Sequence, residues 1–146
     1  MIITIASNSY EDIEPTCKVI ALRYGLKYEN LENAKKEKGY FNSPSNDTIY
    51  KGILAVWKIK EPDVRIFLKV SEESKIKYLV EKNKVSIENA KEEIEKKDAE
   101  QKDYFVKNYG INIKDYTNCD LVINMDKIAS EGIIGVIEKY LNKMTK

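Results

Sequence analysis

The chain reads as an α/β protein, a three-layer sandwich of helices around a mainly parallel sheet. Strand-like and helix-like segments alternate along it, as such a sandwich requires. The strand-like segments are short, continuous apolar runs, the pattern of strands covered on both faces. With 146 residues, 42% of them hydrophobic and 34% charged, the chain is long enough to bury a core without disulfides or a metal.

Ile2-Ile3-Thr4-Ile5-Ala6 is β-branched and runs into a polar turn over residues 7–12, so it reads as the first strand. A helix follows, with Pro15 as its first residue and Asp12 or Glu14 near its cap. Val19, Ile20 and Tyr24 line one side of it, Cys17 and Leu22 fit less regularly, and Gly25 stops it. Leu26-Lys27-Tyr28 reads as a short second strand. Residues 31–37 suit a helix capped by Asn30, and residues 39–46 read as a loop. Thr48-Ile49-Tyr50 is a strand, Leu54-Ala55-Val56-Trp57 a loop or short turn, and residues 64–70 the clearest strand. Ser71 caps a helix to about Lys82, with Ile76, Leu79 and Val80 inward. Ser86 caps another from Ile87 towards Asn108, ended by Gly110. Its middle, residues 91–103, is apolar only at Ile94 and Ala99, which predicts a solvated arm or hairpin. Leu121-Val122-Ile123-Asn124 reads as a buried strand. An amphipathic helix over residues 128–140, with Ile133, Ile134 and Ile137 inward, closes the chain.

Composition removes several chemistries. There is no histidine, so a His-based triad, metal site or pH switch is excluded. Cys17 and Cys119 alone cannot make a zinc site and read as buried, inert thiols. Net charge is +1, which argues against a broad nucleic-acid footprint. No apolar run approaches the roughly 20 residues of a membrane span, and the opening run is too short for a signal peptide. The expectation is a cytoplasmic protein with no cofactor and no metal. In an α/β sandwich ligands sit beyond the carboxyl ends of the strands, and the first such place is residues 7–14.

Particular residues at particular spacings then point to a family. They are Met1-Ile2-Ile3-Thr4-Ile5, Tyr24-Gly25-Leu26, Lys51-Gly52-Ile53-Leu54-Ala55-Val56-Trp57, Lys84-Val85-Ser86, Ala90, Asp103-Tyr104-Phe105, Tyr109-Gly110-Ile111 and Asp120-Leu121-Val122-Ile123-Asn124. Taken together they resemble the archaeal cytidylate kinases, within the P-loop nucleoside monophosphate kinases. The resemblance implies a P-loop kinase-like domain over residues 1–146, a helical lid or arm at residues 71–110, and a shortened replacement of the monophosphate-binding insertion at residues 29–46. It places the phosphate loop on Ser7, Asn8, Ser9, Tyr10, Glu11, Asp12, Ile13 and Glu14.

That loop departs from the family pattern. A Gly-rich loop cradles phosphate on its backbone N–H groups, with a lysine on the phosphates and a hydroxyl on Mg²⁺. Here the glycines are gone, the lysine position is Ile13 and the hydroxyl position is Glu14. Glu11, Asp12 and Glu14 would oppose a triphosphate. The family's lid arginines correspond to Lys82, Lys97 and Gln101, and its monophosphate-binding arginine to Ile53. Only Arg23 and Arg65 are arginine, and lysine lacks the bidentate fork.

The expectation is a kinase fold whose chemistry is lost, serving as an interaction or regulatory module for a protein or ribonucleoprotein partner or as a homodimer. One alternative is residual CMP or ATP binding, or monophosphate kinase activity, through a phosphate site rebuilt from Lys51, Lys82 and Lys97. Another, disfavoured by the net charge, is direct RNA binding. Blander roles are also open. Lys82 and Lys97 suit a solvated surface, the loop carboxylates suit a helix N-terminus, and Trp57 suits a core rather than a base-stacking platform.

Overall fold

A computed structural model describes residues 1–32 and 38–144. Its centre is a five-stranded parallel sheet in the order β2-β3-β1-β4-β5, formed by β1 (Ile2–Ser7), β2 (Lys27–Asn30), β3 (Thr48–Lys51), β4 (Val64–Lys69) and β5 (Leu121–Asn124). Strand β1 lies in the middle, with Ile3 opposite both Ile49 and Val64, and Ile5 opposite Lys51 and Ile66. Every strand pair is parallel, and the inner strands β1, β3 and β4 are mostly buried.

Successive side chains of a strand point to opposite faces, and each face has its own core. On one, Ile3, Ile5, Ile49, Ile66 and Leu68 pack against α1 (Glu14–Tyr24) and α6 (Ser130–Lys143) through Cys17, Ile20, Ile133 and Ile137. On the other, Ala6, Tyr50 and Phe67 pack against α3 (Ile53–Lys58), Phe41 of α2 (Lys38–Asn42) and Phe105 of α5 (Ile87–Tyr109). A third, smaller cluster of Leu79, Ala90 and Ile94 joins α5 to α4 (Glu72–Asn83).

Several expectations are corrected. Residues 53–58 are a helix, not a loop or turn. Ile53, Leu54, Ala55 and Val56 are all buried, so no polar face marks its period. Residues 38–42 are also helical, where the sequence reads as loop. Strand β5 is not a buried strand: it pairs only with β4 at the sheet edge, and of its residues only Ile123 is buried. Strand β2 starts one residue later and ends two later than expected. In α1, Cys17, Ile20 and Ala21 face the core, while Leu22 is 84% exposed. Cys119 is half-buried rather than buried. Helix α5 packs on α4 as a hairpin, one of the two forms its solvated middle predicts. Ser71 and Ser86 cap α4 and α5 as expected, accepting from Ser74 N and Asn89 N. The expected helix at residues 31–37 falls mostly outside the described residues. Its cap residue, Asn30, accepts from Glu32 N at 2.9 Å.

At the end of β3, Gly52 permits a close approach of two backbone segments. It has φ +135°, and its N–H donates to Ile5 O at 2.8 Å. A Cβ there would lie 3.1 Å from Glu32 N and 3.2 Å from Leu31 C. The missing side chain lets residues 31–32 lie against the end of β3. Gly52→Ala is expected to cost about 2 kcal/mol from backbone strain and this close contact, measured as a lowered urea midpoint at unchanged slope. A cost below about 0.5 kcal/mol would mean that residues 31–32 do not approach as described.

Candidate functional site

The carboxyl ends of β1 and β4 open on a cavity of about 490 Å³, lined among others by Ser9, Glu11, Asp12, Lys75, Asp126 and Glu131. The loop from β1 to α1 forms one wall, and four of its backbone N–H groups donate within the chain. Asn8 N donates to Leu68 O, Ser9 N to Ser7 Oγ, Glu11 N to Ser9 Oγ and Glu14 N to Asp12 Oδ1. The Asn8 side chain also clamps Val70, donating to its carbonyl at 3.1 Å and accepting from its N–H at 2.7 Å. Three of the loop's N–H groups are thus satisfied by side-chain oxygens of the loop itself.

Lys51 fills the space beneath this loop. Its side chain is 2% exposed, and its Nζ lies 2.8 Å from Asp12 Oδ1 and 3.3 Å from Glu32 Oε2. Burial pulls the Lys51 ammonium down, but the hydrogen bond to Asp12 and the charge of Glu32 outweigh it and the net shift is upward. The hydrogen bond from Lys51, and a second from Glu14 N, hold the Asp12 carboxyl below its usual range. Each partner thus favours the charged form of the other.

Two further carboxylates shape the site. Asp126 accepts from Ser71 N at 3.0 Å and Ser74 Oγ at 2.7 Å, which lowers its carboxyl as well. Asp98 of α5 accepts from Tyr10 Oη at 2.7 Å and from Lys75 Nζ at 2.8 Å. Glu11, Asp12, Asp126 and Glu131 line the cavity against one lysine, Lys75. Among the described residues no group of three or more carboxylates or thiols is arranged for a metal.

The candidate residues of the sequence divide. Ser7 to Glu14 do sit together at the strand ends, and Lys51 joins them through Asp12. Lys97 reaches the loop only as an exposed ammonium 5.9 Å from the Tyr10 ring, and it pairs with Glu93 at 2.8 Å. Lys82 is exposed on the last turn of α4, over the Tyr78 ring, and Gln101 is exposed on α5. Ile53 is buried at the start of α3. Trp57 packs edge-on against Phe67 at 5.9 Å, a core contact. Glu14 pairs with Lys18 one turn on. The arginines are engaged elsewhere: Arg23 with Glu138, and Arg65 with Ile59 O. Burial raises both thiols, Cys17 to about 12 and Cys119 to about 11, so neither is a thiolate near neutral pH. Sequence reasoning misses Glu32, Lys75, Asp98 and Asp126. Each sits in a charged or polar stretch whose composition carries no sign of the contact it makes.

Comparison with known proteins adds three findings. A family model described as the cytidylate kinase-like family matches residues 29–127. The cytidylate kinase of Thermococcus sibiricus is 26% identical over 98 residues, covering 67% of this chain and 51% of that protein. That of Staphylothermus marinus is 27% identical over 108 residues, 73% and 61% respectively. The chain thus spans about half to three fifths of the length of these relatives. The cytidylate kinase of Methanococcus maripaludis is 24% identical over 176 aligned positions, covering 99% of both chains. In structure, an uncharacterized protein from Eubacterium ventriosum superposes with a TM-score of 0.76 at 18% identity over 99% of both chains, which shows a shared fold. No described helix is long and apolar enough to cross a membrane.

Proposed function

The chain belongs to the cytidylate kinase-like family, and from that premise we propose that it is a non-catalytic member, an interaction or regulatory module whose phosphate loop is closed by its own side chains. The observation that carries this reading is the ion pair of Lys51 with Asp12 and Glu32. A phosphate site needs an exposed cation and free backbone donors. Here the cation is buried and neutralised, and three of the loop's donors turn inward on Ser7, Ser9 and Asp12.

The cations that phosphoryl transfer requires support the same reading. Lys51, Lys82 and Lys97, the candidates for a rebuilt site, are dispersed. One is buried in its ion pair, one is exposed at the far end of α4, and one is paired with Glu93. The cavity wall is predominantly acidic, which opposes a polyphosphate. On this reading residues 29–46 stand in for a longer monophosphate-binding insertion, and the partner is a protein or a ribonucleoprotein.

The test is a thermal-shift titration with CMP, CDP, ATP and ATP plus Mg²⁺. A ligand bound only by the folded chain adds about 2.7 kcal/mol at 100 times its dissociation constant. The expected result is no shift at millimolar nucleotide. A saturable rise of several degrees with any of them would overturn the proposal and favour a nucleotide-binding member.

A further inference from the structure

The loop after β1 carries a tyrosine, and that tyrosine reaches well beyond the loop. The Tyr10 ring packs against the Leu79, Ala90 and Ile94 cluster of the α4–α5 hairpin. Its hydroxyl donates to Asp98 Oδ1 on α5 at 2.7 Å. The other oxygen of the same carboxylate accepts from Lys75 Nζ on α4 at 2.8 Å. Lys75 Nζ also lies 5.6 Å from the centre of the Tyr10 ring, within cation–π range. The side chain of Lys75 is only 9% exposed, and that of Asp98 31%. One carboxylate thus ties both helices of the hairpin to a loop far away in sequence, and both its bonds are of the charge-assisted kind.

Lids that serve a ligand open and close around it. Here every group in the contact belongs to the chain. We propose that Tyr10, Asp98 and Lys75 form a latch that holds the α4–α5 hairpin against the loop after β1 without any ligand, so that the hairpin is a fixed strut. The hairpin is fastened at its base by Phe105 in the second core and at the start of α4 by the bonds of Ser71 and Ser74 to Asp126. Tyr10 supplies the attachment between those points. Lys75 is buried and Asp98 only partly exposed, so the pair is held in one geometry, which suits a device that fixes position.

Hydrogen–deuterium exchange of the 146-residue chain tests the latch. Tyr10→Phe keeps the ring and removes the donor. Asp98→Asn removes the charge that both donors share. Each is expected to speed exchange of the amides over residues 91–101 about tenfold, the effect of losing a bond to a charged group, while amides of β1 and β4 keep their protection. Wild-type exchange over the same residues is expected to be unchanged by millimolar CMP or ATP plus Mg²⁺. The latch is overturned if both variants fold and leave hairpin exchange as it was, or if exchange rises equally throughout the chain. It is also overturned if nucleotide slows hairpin exchange in the wild type, because the hairpin would then have been open beforehand. A nucleotide that raises the melting temperature but leaves hairpin exchange unchanged would sink the non-catalytic reading and leave the latch standing.

Discussion

Phe67→Ala is expected to cost about 4 kcal/mol, within the usual range for truncating a buried phenylalanine. Phe67 is 1% exposed on β4, beside the central strand. Its ring meets Trp57 edge-on at 5.9 Å and Tyr116 tilted at 4.6 Å. The substitution therefore removes both the buried area and two aromatic contacts, each worth roughly 1 kcal/mol beyond area alone. Against a typical total of about 5–15 kcal/mol this is a large fraction. Urea denaturation followed by circular dichroism gives the loss. Trp57, the only tryptophan in the chain, gives an independent signal. Its emission is expected to shift to the red in the folded variant as water reaches the vacated space. A loss below about 1 kcal/mol with an unchanged spectrum would mean that the second core is not packed around Phe67, and that Trp57 is free for another role.

The surroundings of Phe67 show why parts of the fold are legible in the sequence and parts are not. Strands β1 and β4 are flanked by strands on both sides and covered on both faces, so burial dictates a mostly apolar, β-branched run. Helix α6 has one buried face, and Ile133, Ile137 and Leu141 mark it at helical spacing. Helix α3 is buried along four successive residues, and a uniformly apolar segment has no period to read. Strand β5 misleads in the opposite direction: its composition is that of a buried strand, but it pairs on one side only, and Val122 is 42% exposed. In the site, the loop can be placed because its neighbours resemble a known order of segments. The partner of Lys51 cannot, because Glu32 reaches it only through the close approach that Gly52 allows. Lys75 and Asp98 lie in Lys- and Glu-rich helices, where which charge faces inward depends on a tyrosine far away in sequence.

That dependence on partners predicts an asymmetry at Lys51. Removing both carboxylates, as Asp12→Asn with Glu32→Gln, is expected to cost about 3 kcal/mol, because a buried ammonium is left without compensation. The figure sits at the low end for such a change, since both carboxylates are about half exposed and partly screened. Lys51→Met is expected to stay within about 1 kcal/mol of the wild type. The carboxylates can hydrate where they stand, and the thioether chain fills the volume. The pH dependence carries the same signature. Asp12 titrates lower in the folded chain than in the unfolded one, so its contribution is present above about pH 4 and is lost as the pH falls through the folded value. Lys51 titrates higher when folded, so its contribution is present below about pH 10.4 and is lost as the pH rises through the folded value. In the double variant only burial acts on Lys51, its folded value drops below the unfolded one, and stability rises with pH over the alkaline range. Urea midpoints measured from about pH 3 to 11.5 distinguish these slopes. A Lys51→Met variant weaker than the double carboxylate variant, or a double variant that keeps the wild-type alkaline slope, would show that Lys51 is not held by Asp12 and Glu32. The ammonium would then be available to an anion, and the phosphate loop would not be closed.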